Sequence, residues 1–164
     1  MDSLDEILYD ALTWPEINEA ALARKVVLLP IGSTEQHGLH LPLDVDNFLA
    51  RSMCLAAARL APRELLVMPT IPYGYNEHAL DFPGTIHVTY HHFIEYCLDV
   101  VKSVAHAGFE ACYVSGGATA NVAGEFSVTM TFVGCAVMVG GFMPSGVRRN
   151  AGSDRRCRPG ARRR

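Results

Sequence analysis

Residues 30–46 gather three carboxylates, Glu35, Asp44 and Asp46, and two histidines, His37 and His40, in a segment rich in turn-forming residues. In extended chain, side chains two apart point to the same side. Glu35 and His37 can therefore offer a carboxylate oxygen and an imidazole nitrogen to one point while Gln36 faces away. That mixture of donors suits zinc, manganese or iron, whereas calcium would take oxygens alone. Asp46 follows His37 by nine residues, past the bend Leu41-Pro42-Leu43, which is enough chain to return to the same point. A carboxylate there could bridge a pair of ions, and paired ions supply a nucleophile for hydrolysis. A plainer reading fits the same residues. They could be solvated polar groups at a strand-to-loop junction, with Asp44 or Asp46 capping a helix that begins near Asn47. His40 fits a hydrogen-bond partner of a ligand, or a surface residue, as readily as a ligand.

Such a cluster needs elements to position it. The apolar run 26–29 reads as a buried strand, so the cluster lies at the mouth of a sheet. Residues 3–9 and 14–23 suggest short helices, 47–60 a helix with an alanine-rich face, 65–68 a second strand, 91–107 a helix closed by Gly108, and 111–114 a third strand. Strands alternating with helices of this length predict an α/β fold, a three-layer arrangement with a mostly parallel central sheet and helices on both faces. Ligands of such sheets collect beyond the carboxyl ends of the strands.

Residues 29–46 resemble the signature of the creatininase family, creatinine amidohydrolase-like metal hydrolases. In that family a Pro-x-Gly-Ser-x-Glu-Gln-His-Gly-x-His-Leu-Pro-Leu-x-x-Asp string follows the first strand. Trp14 and its neighbours are similar too. Residues 72–86, Pro-Tyr-Gly-Tyr-Asn-Glu-His-Ala-Leu-Asp-Phe-Pro-Gly-Thr-Ile, resemble the family's Tyr-Gly, Glu-His and Phe-Pro-Gly-Thr segments. The resemblance implies a two-metal amidohydrolase holding zinc or manganese, with iron an option. By that comparison Glu35, His37 and Asp46 are metal ligands, and Asp46 bridges. It also implies a substrate pocket served by Tyr73, Glu77, His78, Gly84 and Thr85, a small amide substrate such as creatinine or a formamide-type compound, and a homo-oligomeric assembly. Read from the residues alone, 72–86 offers turn chemistry, phenol donors and backbone amides that could face a carbonyl, or an ordinary connecting loop. His87, His91 and His92 lie at a helix entrance, where surface or capping roles suffice.

The chain also departs from the family. Where a later turn of the Asn-Gly-His-Gly-Gly-Asn kind is expected, it reads Ser115-Gly116-Gly117-Ala118-Thr119-Ala120-Asn121, and no histidine follows His106. Glycine, alanine and threonine offer no imidazole lone pair. Glu125 is the one carboxylate between Glu110 and Asp154, and reads either as a replacement ligand or as a solvent-facing glutamate.

Length and charge divide the chain into three: an incomplete creatininase-like α/β domain over 1–125, an apolar segment over 126–145, and a basic tail over 146–164. Residues 1–147 carry six Lys or Arg against sixteen Asp or Glu, −10, and residues 148–164 carry eight Arg against one Asp, +7, which together give −3. The tail has many breakers and no periodicity, and is expected to be disordered. It reads as an anionic-surface tail, a solvated tail, or the product of a shifted reading frame. No aromatic residues interleave its arginines for stacking on bases, so a nucleic-acid partner is not expected. Residues 126–143 form an uncharged run of eighteen. That length only reaches the lower bound for a membrane span, and its glycines and β-branched residues suggest a strand or two instead. No membrane partner is expected. The five cysteines show no Cys-x-x-Cys pair and the amino terminus is acidic, which together suggest reduced thiols and a cytoplasmic protein. The expected function is metal-dependent hydrolysis of an amide carbon–nitrogen bond. The rival is a truncated or frame-shifted relative, catalytically impaired, that serves at most as an assembly partner.

Overall fold

A computed structural model describes residues 4–116, 127–133 and 136–140. Residues 117–126 with Glu125, the residues Cys135 and Cys157, and the basic segment 146–164 lie outside the described residues. The chain opens with two single-turn 3-10 helices, Leu4–Ile7 and Tyr9–Ala11, in place of the one short helix expected over 3–9. Helix α1, Trp14–Leu22, starts at a capping box in which the Thr13 backbone N–H and hydroxyl both donate to the Glu16 carboxylate.

Strand β1, Val26–Ile31, lies at the centre of the parallel part of the sheet, between β2, Leu65–Val67, and β3, Ala111–Gly116. It runs two residues further than the apolar pattern suggests, through Pro30. Proline has no N–H for a ladder. On the β2 side, however, β2 has already ended at Val67, and Pro30 is joined there through its carbonyl, which accepts the Ile71 N–H at 3.0 Å. Two further strands, β4 at Ser127–Val133 and β5 at Ala136–Gly140, add antiparallel to give the order β2-β1-β3-β4-β5. The apolar run after residue 126 thus supplies a strand pair. Since β5 reverses β4, four of the five strands run in one direction.

Both faces of β1 are covered because successive side chains alternate. Val27, Leu29 and Ile31 pack with Ala20 and Ala21 of α1, with Phe109, and with Val101 and Val104 of helix α3, Tyr90–His106. Leu28 points the other way, toward Cys54 and Ala58 of helix α2, Val45–Leu60, and toward Ile7. Helices therefore flank the sheet on both sides, the three-layer α/β arrangement. Each large apolar side chain so buried contributes about 1.5–3 kcal/mol against exposure. Among the described residues no helix is long and apolar enough to cross a membrane.

Candidate metal centre

Helix α2 carries Asp46 into the site through its own packing. Its buried residues are Asp46, Ala50, Cys54 and Ala58. They recur every four positions, the spacing of one helix face. Asp46 is the amino-terminal end of that buried stripe, beyond the apolar contacts and level with the carboxyl end of β1. The helix begins at Val45 and not at Asn47, so Asp46 lies in its first turn and is not its cap. Asp44 takes the cap position, and its side chain makes no capping hydrogen bond. One candidate ligand therefore comes from a helix, and the other two from the loop after β1. A first-turn position also favours a carboxylate, because the helix dipole places partial positive charge there.

Gly32 makes this approach possible. A Cβ at that position would lie 2.6 Å from Asn47 Cα and 2.1 Å from its Oδ1, so only glycine lets the end of β1 meet the start of α2. Beyond it the Glu35 N–H donates to the Leu43 carbonyl at 3.1 Å and closes the loop on itself. The His37 ring is fixed from within the loop. Its Nδ1 lies 3.1 Å from the Glu35 carbonyl oxygen, which can only accept, so Nδ1 donates there and Nε2 is the nitrogen left to face the cluster.

Glu35, His37 and Asp46 each present a ligand atom, and these atoms all lie within 4.8 Å of one another. His37 Nε2 is 3.6 Å from Asp46 Oδ1. Glu35 and Asp46 are 6% and 3% exposed, and Glu35 Oε2 and Asp46 Oδ2 have no hydrogen-bond partner. Burial raises the Glu35 carboxyl above its ordinary range. A shared hydrogen bond with Asp46 and the Asp46 charge add to the rise, while His78 and His37 oppose it. Two buried carboxylates with orphaned oxygens beside an oriented imidazole fit a divalent cation bound by nitrogen and oxygen. Among the described residues this is the one group of metal-binding type.

The second segment, 72–88, lies against this loop. The Ile86 N–H donates to the Thr34 carbonyl at 2.9 Å, the Thr34 hydroxyl to the Pro72 carbonyl at 3.0 Å, and the Gln36 N–H to Thr85 Oγ1 at 3.4 Å. Asn76 joins the two segments. It is fully buried, accepts from the Ser33 hydroxyl at 2.7 Å, donates from Nδ2 to the Ile86 carbonyl at 2.7 Å, and donates its backbone N–H to His87 Nδ1 at 3.0 Å. Ser33 and Asn76 were not singled out by their sequence setting; a serine and an asparagine 43 residues apart carry no local signal.

Among the residues expected around a substrate, His78 Nε2 lies 3.4 Å from Glu35 Oε2. Glu77 is exposed, and its carboxylate accepts from the Tyr75 hydroxyl. Tyr73 is half exposed. Gly84, at φ 91°, leaves room only for the Leu43 side chain, whose Cδ1 would be 2.5 Å from an added Cβ. His40 is exposed and stands outside the cluster. His91 and His92 are exposed at the start of α3, where His92 Nδ1 is 2.9 Å from the Thr89 hydroxyl.

The family model described as Creatininase: Creatinine amidohydrolase matches residues 10–124, which contain both segments. The chain belongs to the creatininase family. A mycofactocin precursor peptide peptidase of Mycolicibacterium smegmatis is 40% identical over 67 residues, 38% of this chain and 27% of that protein. A 3-dehydro-scyllo-inosose hydrolase of Thermotoga maritima is 31% identical over 104 residues, 63% and 33% of the two chains. A creatinine amidohydrolase of Pseudomonas putida is 33% identical over 113 residues, 65% and 42%. The chain thus matches less than half the length of each of these relatives. Solved creatininases agree in fold. One titled "Creatininase Mn" aligns with TM-score 0.63 and 29% identity over 68% of this chain and 45% of its own. Another, of Zn-Zn type, gives 0.61 and 29% over 66% and 43%.

Proposed function

We propose that this chain carries the metal-binding part of a creatininase-family hydrolase that cleaves the carbon–nitrogen bond of a small amide. The observation that carries the reading is the convergence of ligand atoms of Glu35, His37 and Asp46 within 4.8 Å, with the buried Asp46 Oδ2 making no hydrogen bond. The manganese and zinc named in the titles of its solved relatives support one of these ions as the occupant. A bound divalent ion supplies Lewis acidity toward a carbonyl oxygen. The chain's own residues bind and orient. Glu35 and Asp46 neutralise the ion, His37 presents Nε2 from a fixed tautomer, and Asn76 holds the second segment over the loop. Tyr73, Glu77, His78, Gly84 and Thr85 form or support the wall where an amide would sit.

The named substrates of the relatives range from creatinine to a peptide and an inosose, and creatinine or a formamide-type compound is the class we favour. Reduced thiols at Cys54, Cys97 and Cys112 support a cytoplasmic setting. Exposed apolar side chains on α2, Phe48 and Met53, support self-association. A second reading, an impaired family member, is favoured by the segment 115–121, which reads Ser-Gly-Gly-Ala-Thr-Ala-Asn and carries no histidine. Metal analysis of the purified chain, paired with an amidase assay over creatinine, formamides and short peptides, separates the two. Stoichiometric zinc or manganese with turnover supports the hydrolase. Metal without turnover supports the impaired member, and a purified chain without metal overturns both the site and the activity.

A further inference from the structure

We infer that His78 is a positioning residue of the metal centre, which holds the outer oxygen of Glu35 while Glu35 and its two companions grip the ion. This rests on the metal-centre reading above and assigns His78 a task directed at the protein's own ligand.

Glu35 Oε2 is a buried acceptor without a hydrogen-bond partner, and the nearest imidazole nitrogen to it, His78 Nε2, stands 3.4 Å away. The two groups lie at the separation of a long hydrogen bond or ion pair. Since a carboxylate accepts and cannot donate, the bond requires the tautomer with the proton on Nε2. His78 does not belong to the set of atoms within 4.8 Å that could share one ion, so its contact with the centre runs through Glu35.

The placement is built and not incidental. His78 is the middle residue of the 3-10 helix Glu77–Ala79. On one side that turn is anchored by Ala79, 1% exposed; on the other, Asn76 at its cap position is locked to Ser33, two residues before Glu35. The same Ser33–Asn76 bond that joins the two segments therefore sets the distance between His78 and Glu35. Outer partners of metal ligands fix ligand orientation, and their loss typically weakens metal binding by about 10–100-fold.

His78 is 68% exposed at its side chain, so removing it takes little packing from the fold. The test uses the full chain with Zn²⁺ and Co²⁺ as probes, titrated against a chromophoric chelator, for wild type, His78→Ala and His78→Gln. Expected are a roughly 10–100-fold weaker Zn²⁺ affinity for His78→Ala, partial recovery for His78→Gln, an unchanged visible Co²⁺ spectrum, and an unchanged melting temperature in EDTA. Equal affinity in wild type and His78→Ala overturns the inference while leaving the metal centre standing. A Co²⁺ spectrum altered by the substitution also overturns it, because His78 would then be a ligand itself. A wild type that binds neither ion removes the centre and this inference together.

Discussion

Replacing Glu35 by glutamine should stabilise the metal-free protein and abolish its response to metal. The two carboxylates are 6% and 3% exposed, and their ligand atoms lie within 4.8 Å. At an effective dielectric constant of ~20, two full charges at that separation repel by about 3 kcal/mol. Proton uptake by Glu35, whose carboxyl is raised chiefly by burial and then by Asp46, relieves part of this. A net gain of about 1–2 kcal/mol remains for Glu35→Gln at pH 8, or roughly 3–6 °C in Tm for a chain of this size. The sign follows from linkage. A folded-state pKa above the unfolded value costs nothing below about pH 4.5 and an increasing amount as pH rises through the raised value. The advantage of the variant should therefore shrink as pH falls toward 4.5.

With Zn²⁺ at about a hundred times its Kd, the wild type should gain about 2.7 kcal/mol and overtake the variant. Thermal melts in EDTA and in Zn²⁺, repeated between pH 5 and 8, read both effects. A variant that melts lower than wild type in EDTA at pH 8 would refute the repulsion. A wild type whose Tm ignores Zn²⁺ would refute the centre.

Gly32→Ala should cost about 1–3 kcal/mol in urea unfolding and should weaken Zn²⁺ binding as well, because the added Cβ strikes Asn47 beside Asp46; a silent substitution would mean that α2 moves away without consequence. On Zn²⁺ addition, nitrogen-15 NMR of His37 should show Nε2 change from a free lone pair to a bound nitrogen while Nδ1 keeps its proton; metal appearing at Nδ1 would contradict the tautomer. Burial pushes the Cys97 thiol up to about 11 and the Cys112 thiol up to about 12, so neither should react with iodoacetamide at pH 8 in the native state. The stability these neutral thiols contribute is complete below pH 9.0 and is lost as pH rises through those values. The alkaline decline in Tm should therefore be shallower in Cys112→Ala.

The legible parts of this molecule are those in which cause and effect lie close along the chain. Glu35 and His37 belong to one loop, and alternation alone brings their side chains together. Helices α2 and α3 and the three parallel strands follow from apolar periodicity, with ends off by a few residues. The cap reading of Asp46 fails because α2 begins two residues earlier than Asn47, and because Asp46 continues the stripe of Ala50, Cys54 and Ala58. Pro30 hides the last two residues of β1, since a proline in a central strand is tolerated only where the neighbour has already ended, and that is a fact about β2. Ser33 and Asn76 were illegible for the same reason. Their partnership exists only once the second segment has crossed over the first.

The number and origin of the ligands bear on what kind of centre this is. A structural metal site closes its coordination with protein donors, whereas a catalytic one leaves a position for substrate or water. Here the three donors arise from twelve consecutive residues, Glu35 through Asp46, braced at both ends by the Leu43 carbonyl and by the contact of Gly32 with Asn47. Nothing in that short arc needs the ion in order to fold, because α2 docks through its apolar stripe and the loop closes through backbone bonds. The orphaned carboxylate oxygens are therefore carried by the fold at a cost to stability, and the fold does not rely on metal to form them. Groups held ready in this way, at the carboxyl end of the parallel strands with the second segment lying over them, support the proposed reactive site over a structural staple.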